Sequence, residues 1–183
     1  MADFELTDDD LRVVVRCATE WAEEVLPVFE RTRPDDPRPR AAIEAAREFA
    51  AGARRSTRQR TAAFAAHRAA KDAPSETARL AAQAAGDSAA AAYLHPIAKA
   101  HQVGHILRAA ANRAYIAELE SGGDPAVGNE MVEAVCQRTP PELIDVLCRY
   151  PEPDAGASRA ARLMAELDSR LRASGRRTTG TPD

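Results

Sequence analysis

The sequence predicts an all-α fold, a compact array of about seven to eight helices joined by short connectors. Apolar residues recur at three- and four-residue steps in successive segments, and no run of strand formers alternates with polar residues. The hydrophobic fraction is 45% but the aromatic fraction is only 4%, so alanine supplies much of the apolar content. Because alanine favours helices and buries little area, the helices must pack closely around a few larger side chains.

The length and charge of the chain limit its organisation and its partners. With 183 residues we predict one helical domain over residues 1–174 and a polar, disordered tail over 175–183. The net charge of −3 offers no general attraction to nucleic acid or to an anionic membrane, so we expect neither as a partner. The acidic N-terminus lacks the features of a signal peptide, and no apolar run approaches the ~20 residues of a membrane span. We therefore expect a cytoplasmic protein.

The first helix has the clearest signature. Thr7 precedes three aspartates at positions 8–10, which predicts a hydroxyl cap with carboxylates at the positive end of the helix dipole. One apolar stripe follows, formed by Leu11, Val14, Ala18, Trp21, Val25 and Phe29. Pro27 lies within this stripe and predicts either a kink there or a helix end just before it.

Prolines and glycines bound the remaining helices. Asp36 is predicted to cap a second helix that begins at Pro37 and stops at Gly52. The other predicted helices cover residues 56–73, 75–94, 97–120, a short segment around 131–136, a segment that opens with a capping box at 139–142, and 157–173. The proline at position 96 separates the fourth helix from the fifth, because the residue before a proline is pushed out of the α region.

The corner between the first two helices contains four charged residues, Asp35, Asp36, Arg38 and Arg40. Cations are disfavoured at the start of a helix, so we predict that at least one arginine pairs with a carboxylate such as Asp35, Glu30 or Glu44. Such a fork would hold the angle between the helices. The alternative is that these residues are exposed groups that bind a partner.

Three of the histidines, His95, His101 and His105, lie close together in the sequence. Imidazoles at 101 and 105, four residues apart on one helix, could both reach one metal ion, with His95 or a distant carboxylate as a further ligand. The glutamate of the zinc-protease helix is missing. We expect no cofactor, with zinc or another divalent metal as the alternative; in the competing interpretation one histidine is buried and the others cap or face solvent.

One stretch of the chain is rich in basic residues: Arg54, Arg55, Arg58, Arg60, Arg68 and Lys71. It could hold phosphate or an acidic partner surface. We favour a solvated face that is balanced by the acidic first helix. His67, which lies in the same stretch, is interpreted as a helix–helix contact and not as a catalytic base.

Signatures of catalysis are missing from the sequence. Cys17, Cys136 and Cys148 have no metal-ligand spacing and no histidine nearby in the chain. There is no nucleophile elbow, no glycine-rich phosphate loop and no paired Glu-x-x-His motif. The residues therefore favour a non-enzymatic protein that binds a protein partner over a metal-dependent enzyme built on the histidines.

Several segments resemble bacterial proteins described as putative immunity proteins, some of which are labelled exonuclease subunits. The similarity covers about residues 18–150, and it is carried by Trp21, Val25-Leu26-Pro27-Val28-Phe29-Glu30, Arg38-Pro39-Arg40-Ala41-Ala42-Ile43, residues 65–70, Leu94-His95-Pro96 and Gln102-Val103-Gly104-His105-Ile106-Leu107. The resemblance implies an all-α fold and a role in neutralising a bacterial toxin by binding it. It implies no catalytic residues.

Overall fold

Eight α-helices and no strand are present in residues 3–178, the part of the chain that the computed structural model describes, which confirms the predicted all-α class. The helices are α1 (Asp8–Glu30), α2 (Arg38–Ala50), α3 (Thr57–Lys71), α4 (Glu76–Ala90), α5 (Val103–Glu120), α6 (Pro125–Arg138), α7 (Pro141–Cys148) and α8 (Arg159–Thr178). Two single 3-10 turns, Ala91–Tyr93 and Ala100–Gln102, lie between α4 and α5.

Helix α1 begins as predicted. The Thr7 hydroxyl accepts a hydrogen bond from the Asp10 N–H, and the Asp10 carboxylate accepts one from the Thr7 N–H, which completes a capping box. Of the two outcomes predicted for Pro27, a kink or a helix end, the helix end does not occur, since α1 continues to Glu30. Pro27 is on the exposed side of α1, where a carbonyl that loses its helical donor can bond to water.

Helix α4 is buried nearly all round, because α1, α2, α3 and α5 all pack against it. Most of its buried residues are alanines: Ala78, Ala81, Ala82, Ala84, Ala85 and Ala89. A helix that is apolar on every side belongs in the interior, and the short alanine side chains let its neighbours approach closely. This packing places residues of α3 and α5 on either side of α4.

The predicted start of the fifth helix at residue 97 is wrong. Asp3 pairs with the segment after Pro96: its N–H donates to the Pro96 carbonyl at 2.9 Å and its carboxylate accepts from the Ala98 N–H at 2.6 Å. The backbone of that segment is therefore held in a loop, and α5 begins only at Val103. The fourth helix also ends earlier than predicted, at Ala90.

The last two helices complete the core but differ from the prediction at their ends. The Thr139 hydroxyl donates to the Val135 carbonyl of α6, so the predicted capping box does not form and α7 starts at Pro141. Helix α8 includes residues 175–178, which had been assigned to a disordered tail; the remainder of that predicted tail, 179–183, lies outside the described residues. Leucines of α7 and α8 join the same hydrophobic core as α1 and α5.

Close packing through alanine predicts that added volume destabilises the buried face of α2 and leaves its exposed face unaffected. Ala42 is fully buried, whereas its neighbour Ala41 is exposed. We expect Ala42→Leu to lower the free energy of unfolding by about 2 kcal/mol, because the core has no room for it. Ala41→Leu should change that value by less than about 0.5 kcal/mol. Equal effects of the two substitutions in urea denaturation would contradict close packing at α2.

Candidate functional site

The predicted corner between α1 and α2 is held by Arg38. Its guanidinium forks onto Asp36, with Nε–Oδ1 at 2.9 Å and Nη2–Oδ2 at 2.7 Å, and Nη2 also reaches Asp72 at the end of α3 at 2.9 Å. Asp36 also accepts the backbone N–H of Arg38 at 3.1 Å, as expected of a capping residue, although the helix starts at Arg38 and not at Pro37. These bonds hold the pKa of Asp36 below its usual range.

A second fork in this corner joins Arg40 to Glu30, with Nε–Oε1 at 2.7 Å and Nη2–Oε2 at 2.8 Å. The prediction that an arginine here pairs with a carboxylate is thus confirmed. Asp35 is exposed and takes part in neither fork. The corner also lines a cleft of about 510 Å³, in which Arg38 already binds Asp36 and Asp72, and Arg33 donates to the Asp72 carbonyl at 3.1 Å. The geometry favours the structural interpretation of this corner.

The three histidines that were predicted to bind metal have different surroundings in the structure. His101 lies in the 3-10 turn before α5, is exposed, and its Nε2 contacts the Gln102 amide at 2.8 Å. His95 and His105 instead line a common cleft. No group of three or more His, Cys, Asp or Glu side chains within residues 3–178 is arranged to hold a metal ion. The histidine hypothesis therefore has no structural support.

The cleft that His95 and His105 share lies between α3, the end of α4 and the first turn of α5. Its volume is about 340 Å³, and its lining consists of Arg60, Ala63, Phe64, His67, Ala90, Tyr93, His95 and His105. This lining contains four basic residues and two aromatic ones, but no carboxylate, serine or cysteine. Such a surface can bind an apolar or acidic group.

One side of α3 borders this cleft and is exposed along its length. The side chains at positions 57, 61, 64, 68 and 71 recur at three- and four-residue steps and all face solvent. Phe64 lies at the centre of this stripe with 59% of its surface exposed, and it is the exposed large hydrophobic residue of the described part of the chain. We call the surface formed by Arg60, Phe64, His67, Arg68, Lys71 and the cleft the α3 face.

Tyr93 anchors the cleft end of the α3 face. Its hydroxyl donates to the Ser56 carbonyl at 2.6 Å, and Ser56 in turn caps α3 in a capping box with Gln59. The guanidinium of Arg60 lies over the Tyr93 ring at 4.4 Å, and that of Arg55 lies 5.5 Å from the ring centre. The aromatic and cationic groups of this surface are therefore fixed on a rigid, capped helix.

A buried carboxylate lies behind the α3 face. Asp87 of α4 is 2% exposed, and its Oδ1 accepts from Arg108 Nη1 of α5 at 3.1 Å and lies 3.7 Å from His67 Nε2 of α3. The His67 ring can reach this position because residue 86 is glycine, where a Cβ would come within 2.8 Å of the ring. His67 thus forms a helix–helix contact, as predicted, although at 3.7 Å its contact with Asp87 is too long for a hydrogen bond.

Two polar atoms in this region are buried without a hydrogen-bond partner among the described residues, Asp87 Oδ2 and His105 Nδ1. Burial raises the pKa of Asp87, although Arg108 and His67 act against the shift. Burial, together with nearby Arg108, lowers the pKa of His105 to about 4, so its imidazole is neutral at pH 7. Asp87, His67, Arg108 and His105 are therefore polar groups at the contacts between α3, α4 and α5.

Residues of the basic stretch pair with groups other than the acidic first helix, which was predicted to balance their charge. Arg58 pairs with Glu48 of α2, not with the acidic first helix, and Arg55 donates to the Ala92 carbonyl at 3.1 Å. Sequence reasoning missed the exposure of Phe64, although a signal was present, since Phe64 falls outside the buried positions Ala63 and Ala66 of its helix. It also missed Asp87, whose partners lie on two other helices.

Comparison with known proteins gives one match. The Imm-5 like putative immunity protein family matches residues 5–142, which run from the segment before α1 to the start of α7 and include the whole α3 face. No curated protein and no solved structure matches the chain. Within residues 3–178, every helix is too short or too polar to cross a lipid bilayer.

The two forks of the α1–α2 corner predict unequal effects on stability. We expect Arg38→Ala to lower the free energy of unfolding by about 1.5 kcal/mol, because it removes charge-assisted hydrogen bonds to half-buried Asp36 and to Asp72. Arg40→Ala removes a more exposed pair and should cost about 0.5 kcal/mol. Thermal unfolding of both variants measures the difference, and unchanged melting temperatures in both would show that the corner is not structural.

The contact between Asp87 and Arg108 predicts a coupling that a double-mutant cycle can measure. Arg108→Ala leaves the Asp87 carboxylate buried with a weaker partner, and we expect a loss of about 2 kcal/mol in the free energy of unfolding. In the Asp87→Asn background the same change should cost about 1 kcal/mol less, because a neutral amide is less costly to bury. Strictly additive losses in urea denaturation would show that the two side chains do not interact.

Proposed function

Because the chain belongs to the Imm-5 like putative immunity protein family, we propose that it is an immunity factor that neutralises a toxin by binding it directly through the α3 face. An immunity-type role implies a protein partner. Since the α3 face lies wholly within the matched residues, the part of the chain that carries the family resemblance also carries the proposed binding surface.

The observation that carries this proposal is the exposure of Phe64. Phe64 is 59% exposed on a helix whose buried residues are Gln59, Ala63, Ala66, Ala69 and Ala70. Burying such a ring in an interface is favourable by about 1.5–3 kcal/mol relative to leaving it in water. Aromatic residues at the centre of a surface, surrounded by polar groups, are typical of the few residues that dominate binding energy.

The surroundings of Phe64 support the same interpretation. Arg60 and Arg68 lie one turn before and one turn after it, and the cleft of about 340 Å³ opens beside it. A partner can therefore cover the ring, insert a side chain into the cleft and bond to the arginines at the rim. Because α3 is capped and packed on α2 and α4, little order has to be gained on binding.

Growth rescue tests this proposal. Each toxin encoded beside the gene is expressed alone and with the full chain, and we expect one of them to be neutralised. Phe64→Ser should abolish rescue, because losing a central aromatic costs about 2 kcal/mol or more of binding energy, which is about 30-fold in affinity.

Phe64→Leu is the matched control, because it retains an apolar side chain at the same position and should keep rescue. Both variants should melt within a few degrees of the wild type, since the ring is exposed. Full rescue by Phe64→Ser would show that the toxin does not bind through the α3 face. A failure of the wild type to bind or neutralise any of these toxins would remove the proposed function itself.

A further inference from the structure

The charges of the α3 face indicate what kind of surface it binds. We infer that the bound toxin surface is acidic, with an apolar side chain packed on Phe64 and carboxylates that pair with Arg60, Arg68 and Lys71. This inference rests on the proposed function and adds the chemistry of the partner to it.

Helix α3 carries basic side chains and no carboxylate of its own. Its sequence from Thr57 to Lys71 contains four residues of fixed positive charge and no Asp or Glu. Arg58 is neutralised by Glu48, with Nη1 at 2.7 and 2.6 Å from the two carboxylate oxygens. Arg60, Arg68 and Lys71 are exposed and form no ion pair in the described part of the chain. Three cations therefore surround Phe64 without a counter-charge.

This arrangement differs from that of many arginines elsewhere on the surface. Arg40, Arg47 and Arg159 each bind a carboxylate from another helix of the same chain. Such pairs use the N–H donors of the guanidinium within the chain and leave few of them for a binding partner. On the α3 face the corresponding carboxylates are missing, although the chain as a whole has a net charge of −3. An acidic partner would supply them, since complementary potentials favour correct docking.

The cleft has the same character as the stripe. Its lining contains one fixed cation, Arg60, and three imidazoles, those of His67, His95 and His105, whose ring nitrogens can donate hydrogen bonds. The Arg60 guanidinium lies 4.4 Å from the centre of the Tyr93 ring and forms no ion pair within the described residues, so its N–H groups can donate to a carboxylate of a partner. The Asp87 carboxylate is buried behind His67 and is not part of the lining. A carboxylate that enters the cleft therefore meets donors and no exposed negative charge.

A basic surface with an aromatic residue can also bind single-stranded nucleic acid by stacking. The structure favours a protein partner for two reasons. Nucleic acid is negative along its whole length, so the net charge of −3 of this chain repels it. A protein partner can carry an acidic patch that is confined to the contact surface. Phe64 also stands next to a partly apolar cleft, which suits an apolar side chain next to a carboxylate better than a phosphate backbone.

Selection of short random peptides on the full chain tests the inference without knowledge of the toxin. We expect the selected peptides to be enriched in Asp or Glu next to a large apolar residue. Affinity of a selected peptide should fall about tenfold or more in Arg68→Glu, because the substitution places a like charge beside its carboxylates. The matched control is Arg16→Glu on α1, an exposed arginine outside the α3 face without an ion pair, and it should bind normally.

Several outcomes would overturn the inference: selected peptides without acidic enrichment, equal effects of Arg68→Glu and Arg16→Glu, or tight binding of a labelled oligothymidine that Arg68→Glu abolishes. The last outcome would assign the α3 face to nucleic acid. If a toxin is neutralised through Phe64 but tolerates Arg68→Glu, the inference fails and the proposed function stands. If acidic peptides bind as expected but no toxin is neutralised, the proposed function fails and the chemistry of the face stands.

Discussion

Alanine occupies most of the contact positions of α4, and the close approach of four helices to this one depends on it. Each alanine buries little area, so stability has to come from many tight contacts around a central helix and not from a few large side chains. The large residues, such as Trp21 and Phe49, lie on the helices that surround α4. The position of every functional group described above follows from which side of α4 its own helix covers.

This packing also explains why a carboxylate lies in the interior. Asp87 belongs to α4, so burial of that helix on all sides takes Asp87 with it. Arg108 and His67 reach it from opposite neighbours, and together they connect α3 to α5 through α4. Breaking such a buried pair by removing one partner is costly, because the remaining charge cannot be solvated. The α3 face is consequently supported from beneath by the contact of its own His67 with buried Asp87.

The sequence predicts the helices well where the signals are local. Thr7 and Ser56 cap their helices through bonds that span only a few residues, and Arg40 finds Glu30 across a short connector. It fails where another group competes for the backbone or the cap: Asp3, 95 residues away, holds the loop before α5, and the Thr139 hydroxyl bonds to the Val135 carbonyl of α6 and does not cap α7. The pairing of Arg38 with Asp72 could not be predicted either, because the two residues are 34 positions apart in the sequence. Of the site, exposed Phe64 could have been found from its position off the buried stripe, whereas Asp87 has no local signal.

The contact of His67 with Gly86 has a consequence for how related sequences can diverge. A side chain at position 86 would collide with the imidazole, since its Cβ would lie 2.8–2.9 Å from three ring atoms. The two positions are therefore coupled: a relative that gains even an alanine at 86 must turn the imidazole away, replace the histidine with a smaller residue or separate α3 from α4. Because α3 carries Phe64, a substitution of the buried Gly86 would also shift the exposed surface that contains Phe64. Covariation of these two positions among family members would thus record selection on the surface itself.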